Sequence, residues 1–293
     1  MDSLQINYIT GEKIQELTDF TVILNAKDNG DSALLRNQLK NTKTNYHFFE
    51  SNTTDIPFEL QKAKSIFVYT HILDFFFNKI YPLLKNNFIL VTHNSDAWIS
   101  EKYKQYLDDP KIKKWFAQNV EYRHDKLIPI PIGVANSQWP HGNLNLFDKI
   151  RRENNKKEFL VYKNFDINTS HCNRMHVAKD TQFIPMIRGR SQEDYWRDIS
   201  KSVFNICPMG GGTDSHRMWE SLYLNSIPIV VDCVHNEGFN DLPMLKIPRQ
   251  EGAWKMLNQE FLKSAYRKIT EKVYNYEKLD LEYWKNLIQQ EIV

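Results

Sequence analysis

The sequence predicts an α/β protein built as two domains of similar size. Three observations predict it. The chain has 293 residues, more than one ordinary core, so the prior is one large or two ordinary domains. Short runs rich in β-branched and aromatic residues alternate with helical patterns of about 10–15 residues, the signature of βαβ units around a parallel sheet. The alternation runs through twice, on either side of the charged, Asn-rich stretch "FDKIRRENNKKEF" (147–159). In such folds ligands bind at the carboxyl ends of the strands, so a cleft is expected there, between the domains.

The first half opens with the strand "FTVILN" (20–25), the turn signal "DNG" and the helical "SALLRNQLKN". "YHFFES" (46–51) and "SIFVYT" (65–70) follow as strands, then a buried helix over 71–84. "FILVTH" (88–93) is a strand, and 100–107 and 110–117 read as amphipathic helices. "EYR" (121–123) and "LIPIPIG" (127–133) close the half. The second half starts with the strand "FLVYKNF" (159–165) and the short helix "RMHVAKD". "SQEDYWRDISK" (191–201) is a helix with Ser191 as its N-cap and Asp194 in its first turn, a good start signal. Next come the strand "SVFNICP" (202–208), the helix "SHRMWESLYLN" (215–225) and the buried strand "SIPIVVD" (226–232). The tail, 252–291, reads as two helices separated near Leu279 and Asp280.

Composition excludes several function classes. The chain carries 38 Lys and Arg against 36 Asp and Glu, a net charge of +2. A general nucleic-acid or membrane-surface binder needs a larger basic excess, so neither partner is expected. No run reaches the ~18 apolar residues of a membrane span, and the N-terminus has no apolar signal core. Cys172, Cys207 and Cys233 are odd in number and widely spaced, which fits a reducing, cytoplasmic setting better than a disulfide framework or a zinc site. The histidines show no metal-ligand spacing, so no metal is expected.

The strongest local signal is "CPMGGGTDSHRMWES" (207–221), where three of only 10 glycines stand in a row. Glycines at a strand-to-helix turn admit close approach of a ligand and positive φ. The following helix offers free N–H groups and the positive end of its dipole, an anion site. Gly210, Gly211, Gly212, Thr213, Asp214 and Ser215 are therefore candidate phosphate contacts. Arg217 can fork onto a diphosphate. Glu220, on the same helix face, can take both hydroxyls of a ribose. The loop is neither a P-loop nor a GxGxxG fingerprint. A tight structural turn with a surface Arg217–Glu220 pair is the plain alternative.

The segment 202–232 resembles the donor site of exostosin-type glycosyltransferases, through Pro208, Gly210 to Gly212, Ser215, Arg217, Glu220, Ile227, Pro228 and Ile229. Weaker likeness extends over roughly residues 88 to 235. The resemblance implies a GT-B fold, two Rossmann-like domains facing across a cleft. Residues 1–150 would form the acceptor-side domain and 151–270 the nucleotide-sugar domain. The helix 271–293 would pack back on the first domain. It further implies inverting transfer from a UDP-sugar co-substrate to a glycan hydroxyl, with no metal. Typical animal and plant members carry an anchor, a stem and disulfides, none of which stands here, so this chain resembles the soluble bacterial and viral kind. Its compactness points to xylose or another small neutral sugar.

An inverting transfer needs a base for the acceptor hydroxyl and positive groups for the leaving diphosphate. Asp96 and His93, in "FILVTHNSDAW", lie at the end of a first-half strand and are the candidate bases, with His141 behind them. His141 and Trp139, in "SQWPHGN", are candidate acceptor contacts. Lys163, Asn164 and Arg174 follow the first strand of the second half and are candidate donor contacts. Arg188 and Arg190 in "IRGRS" would border the nucleobase. A non-catalytic nucleotide- or glycan-binding protein of the same fold is the alternative from another class. An epimerase-type enzyme is less favoured, because the first strand-turn lacks a glycine fingerprint.

Overall fold

The computed structural model describes residues 6–25, 39 and 42–292. The expected turn at "DNG" and most of the helix after it lie outside the described residues. The chain divides into two compact units: Met1–Ile132 together with Asp280–Val293, and Gly133–Leu279.

The first unit is built on six strands: β1 (Phe20–Leu24), β2 (Asn45–Phe49), β3 (Ser65–Tyr69), β4 (Phe88–His93), β5 (Ile112–Ala117) and β6 (Leu127–Pro129). They lie in the order β2-β1-β3-β4-β5-β6, and every pairing is parallel. The central strands β3 and β4 are buried at every position, as unbroken apolar runs require when both faces of a parallel sheet are covered. The order reverses between β1 and β3, one of the two common doubly wound arrangements. Short helices α1 (Gly11–Gln15), α2 (Phe58–Lys62), α3 (Leu73–Phe75) and α4 (Lys104–Asp108) link the strands. The expected helix 71–84 is present but uneven: α3 widens into a π-turn at Phe76–Ile80 and tightens at Tyr81–Leu83 around Pro82.

Two expectations fail in this unit. Residues 110–117 are not a helix but β5, with Trp115 opposite Leu90 and its Nε1 donating to Thr92 Oγ1 at 2.8 Å. "EYR" is no strand; a single bridge, Ile99 to Val120, precedes it.

The second unit holds β7 (Phe159–Tyr162), β8 (Ser202–Ile206), β9 (Ile227–Val231) and β10 (Leu245–Ile247), parallel and in the order β10-β9-β8-β7. Unlike the first sheet, and unlike a full Rossmann sheet, this one shows no reversal of strand order. Its helices are α5 (Leu144–Arg152), α6 (His171–Asp180), α7 (Gln192–Ser200), α8 (His216–Tyr223), α9 (Val234–Glu237) and α10 (Gln259–Thr270). Ser191 caps α7 by accepting from the Asp194 N–H at 3.1 Å.

A boundary at 150/151 would cut through α5. That helix belongs wholly to the second unit, because its buried Phe147 packs edge-on to Trp196 and Tyr223. Residues 271–279 also stay there: Tyr223 donates to the Leu279 carbonyl at 2.8 Å. Only from Asp280 does the chain join the first unit, where α11 (Leu281–Ile292) packs on β4. The Leu281 N–H donates to the Asn7 carbonyl at 2.9 Å, and Trp284 and Ile288 are buried.

Candidate functional site

β8 delivers its chain end into the glycine loop. The Cys207 N–H still follows the ladder, donating to the Ile229 carbonyl at 2.9 Å. The loop then turns tightly, with the Gly210 N–H donating to the Gly212 carbonyl at 3.1 Å. None of the three glycines has positive φ; among the described glycines that property belongs to Gly133, Gly189 and Gly252. At Gly210 the protein's own atoms also leave room for a side chain. A Cβ there would stand 3.4 Å from Arg174 Nη2.

Arg174 is a brace for this loop rather than a free donor contact. It is buried, with Nε donating to the Met209 carbonyl at 3.0 Å and Nη1 to the Asp166 carbonyl at 2.8 Å. Asp214 is likewise turned inward. One oxygen accepts from Trp219 Nε1 at 2.7 Å, and the other faces His235 Nε2 at 3.2 Å with both side chains fully buried. Thr213 and Gly212 are buried and Gly211 is exposed. Ser215 holds the N-cap position of α8 in extended geometry, yet its hydroxyl makes no capping bond. Ser215 thus supplies no side-chain cap to the first turn of α8, where an anion would sit; the Met218 N–H donates to the Ser215 carbonyl instead, at 3.0 Å.

Arg217 and Glu220 differ in what they have left to offer. The Arg217 guanidinium lies over the Tyr195 ring, 5.6 Å from its centroid. Its Nε is buried with no hydrogen-bond partner, and among the described residues no carboxylate pairs with it. Glu220 is 4% exposed, and both its oxygens are occupied. Oε1 accepts from Trp196 Nε1 and Oε2 from the Tyr195 hydroxyl, each at 3.0 Å. Burial pushes the Tyr195 phenol well up, so it stays a donor. Glu220 thus fastens α8 to α7; its remaining lone pairs are what a ribose would find. Cys207 is buried, and burial pushes its thiol up to about 12, an inert state.

His216 opens α8, with Nδ1 2.8 Å from the Gly133 carbonyl. A carbonyl only accepts, so Nδ1 carries a hydrogen. Its ring lies 6.3 Å from that of His141. Trp139, 45% exposed, stacks on His141 at 6.3 Å and 13°. Gly142 makes this turn possible, since a Cβ there would run into the Asn136 carbonyl. Burial, and then the His216 charge, hold the His141 pKa below the usual imidazole range. Trp139 and His141, expected on the acceptor side, are therefore grouped with the N-terminus of α8 in the second unit.

The other candidates separate. His93 is fully buried. The Asn94 N–H donates to its Nδ1 at 2.8 Å, so Nε2–H donates to the Pro131 carbonyl at 3.0 Å. Both nitrogens are engaged, and His93 is a structural hydrogen-bonder, not a base. Asp96 is exposed, with no hydrogen bond or ion pair among the described residues; the helical turn after it starts from Ser100. Lys163 is buried, its Nζ donating to the Thr181 and Ile184 carbonyls at 2.7 and 3.1 Å. Asn164 donates to the Tyr162 hydroxyl at 2.8 Å. Arg190 is tied to Asp198 at 2.7 Å, whereas Arg188 is exposed and has no ion pair among the described residues.

Three positions around Arg217 and Glu220 escaped the sequence. Tyr195 and Trp196 were visible only as part of a capped helix, and nothing local says that they meet Glu220. His216 stood in plain view beside Arg217; its signal was its place in the first turn of α8.

No protein-family model matches the chain, and no curated protein matches it. Among solved structures, a glycosyltransferase from Rickettsia africae ESF-5 is similar at 10% identity, with a TM-score of 0.43, over 93% of this chain and 98% of that one. No described helix is long and apolar enough to cross a membrane.

Proposed function

We propose that this protein transfers a glycosyl group from a nucleoside-diphosphate sugar to an acceptor hydroxyl. The observation that carries the reading is Arg217: a guanidinium without a carboxylate partner among the described residues, at the N-terminus of a helix that follows a glycine loop. A desolvated cation beside a helix N-terminus that its N-cap side chain leaves uncapped suits a diphosphate. In the reaction the acceptor oxygen bonds to the anomeric carbon and the bond from that carbon to the diphosphate oxygen breaks. The diphosphate leaves with the electron pair, and Arg217 and the loop amides stabilise its growing charge. The acceptor proton passes to a base, which the reading assigns to Asp96. His216, with Nδ1 fixed on a carbonyl, is assigned to the diphosphate side.

This assembly would replace a divalent cation, so the reaction is proposed to need none. Inversion, a uridine donor with xylose as the small neutral sugar, and a glycan acceptor rest on the sequence resemblance.

The test is thermal stability with nucleoside diphosphates, with and without EDTA. A ligand at about 100 times its Kd adds roughly 2.7 kcal/mol, which for a chain this size raises Tm by several degrees. The shift is expected to survive EDTA and to vanish in Arg217→Ala, whose own Tm stays near that of the parent. A shift unchanged in that variant would remove the diphosphate from this site. In transfer assays Asp96→Asn is expected to lower kcat by about 100-fold or more, with the nucleotide shift intact. Full activity in Asp96→Asn would pass the base role elsewhere.

A further inference from the structure

The second unit holds a cavity of about 250 Å³ at the carboxyl ends of β8, β9 and β10. Val177, Met209, Val231 and Trp254 give it apolar walls, and Arg249 stands among its polar lining. Asp180 also lines it. This residue ends α6 and is only 7% exposed. Its Oδ2 is buried without a hydrogen-bond partner, and among the described residues the carboxylate has no ion pair. Two other buried carboxylates discussed above, Asp214 and Glu220, accept hydrogen bonds from Trp219, Trp196 and Tyr195. A buried acceptor left in this state is waiting for donors from a ligand.

We infer that this cavity is a base pocket and that Asp180 reads a guanine; the inference rests on the nucleotide-sugar reading above. Position argues for a base. Met209 is a wall of the cavity and directly precedes Gly210, the start of the proposed phosphate loop. Asn173, one turn into α6, lines the cavity and also points Nδ2 at the Gly210 carbonyl, 3.5 Å away. A nucleoside diphosphate with its phosphates on the loop has its base within reach of these walls. The mixture of apolar walls with a few polar groups is the usual lining of a small-molecule site.

Hydrogen-bond complementarity selects the base. A carboxylate only accepts. Guanine presents a ring N–H and an amino N–H side by side, one for each oxygen. Uracil presents a single N–H between two carbonyls, whose lone pairs would face the carboxylate. Adenine and cytosine place a ring-nitrogen lone pair beside their amino group. The donor base would then differ from the uridine that the sequence resemblance implies.

The test measures Kd for GDP, UDP, ADP and xanthosine diphosphate on the full chain and on Asp180→Asn. On the unaltered chain GDP is expected to bind at least tenfold tighter than UDP or ADP. Asp180→Asn is expected to lose at least tenfold for GDP and to gain xanthosine diphosphate, because its amide can donate to the carbonyl that replaces the amino group. A merely structural role for Asp180 would not create that gain. Equal binding of GDP and UDP to the unaltered chain overturns the inference, and needs no variant that might misfold. So does an equal loss for every nucleotide in Asp180→Asn. UDP binding as tight as or tighter than that of GDP, and lost in Arg217→Ala, would overturn the guanine pocket and leave the proposed function standing. Failure of all nucleotides to bind would remove both.

Discussion

Glu220 shows how one residue can be legible in kind and illegible in use. Its place on the Arg217 face follows from helical spacing. Its two donors lie 24 and 25 positions upstream on another helix, and no local pattern announces them. Removing the carboxylate leaves the buried Trp196 and Tyr195 donors unmet, at about 1–3 kcal/mol each. Glu220→Ala is therefore expected to melt several degrees lower than the parent, at about 2 °C or more per kcal/mol, and Glu220→Gln less so. Thermal melts with equal midpoints would show that Glu220 anchors nothing. His141 offers a pH test. Its folded pKa lies below the unfolded value near 6.5, through burial and then the His216 charge. Its contribution to stability is present above pH 6.5 and is lost as pH falls through the folded value, because the unfolded chain takes up the proton first. His141→Gln is expected to flatten the acid side of a Tm-against-pH profile; an unchanged slope below pH 6.5 would place the loss on other groups. His93 was legible as a strand-end residue, but its enclosure by the Asn94 amide and the Pro131 carbonyl was not.

Among the elements, the runs built of β-branched residues were readable: β1, β3, β4, β8 and β9 all lie where the pattern puts them. β5 was misread because "IKKWFA" is short and carries two adjacent lysines, so its apolar positions fit both periods. Partnership with β4 decides it. β10 has three residues and no signal of its own; it exists because β9 offers it an edge. The contact between α1 and the end of β4 is equally hidden from sequence. Gly11 lies so close to β4 that a Cβ would run into Asn94 Oδ1 and crowd His93 Nδ1. Asn94 itself sits at φ 58°, which limits how far it can yield. Gly11→Ala is expected to lose about 1–3 kcal/mol, the usual result of overpacking, seen as a lower urea midpoint with an unchanged slope. A neutral result would mean that α1 can slide away from the strand.

At the scale of the whole molecule, two parallel-sheet units were legible and their boundary was not. The charged stretch near 150 looks like a linker because its lysines and asparagines are solvated. Phe147 and Ile150 on the opposite face of α5 are fully buried, and they hold the helix in the second unit. Strand order was also beyond the sequence, since the same βαβ pattern serves a sheet with a reversal and one without. The end of the chain completes the first unit. Leu281, Trp284 and Ile288 of α11 are buried, and each apolar side chain of that size contributes about 1.5–3 kcal/mol by burial. Together they weigh heavily against a domain stability of about 5–15 kcal/mol. Truncation after Leu279 is expected to open residues 6–132 to limited proteolysis while fragments of 133–279 survive. Equal resistance of both units would show that α11 is dispensable.

The interruption of the first unit by the second has a consequence for biosynthesis. A ribosome delivers β1 to β6 early, and then spends the whole of 133–279 before it delivers α11. At about 5–20 residues per second, the early sheet waits on the order of ten seconds or more with the ground for Trp284 and Ile288 uncovered. During that interval the second unit has its entire sequence available and the first does not. The nascent chain therefore completes its later unit before its earlier one. A holding chaperone would find its substrate in the bare flank of β4.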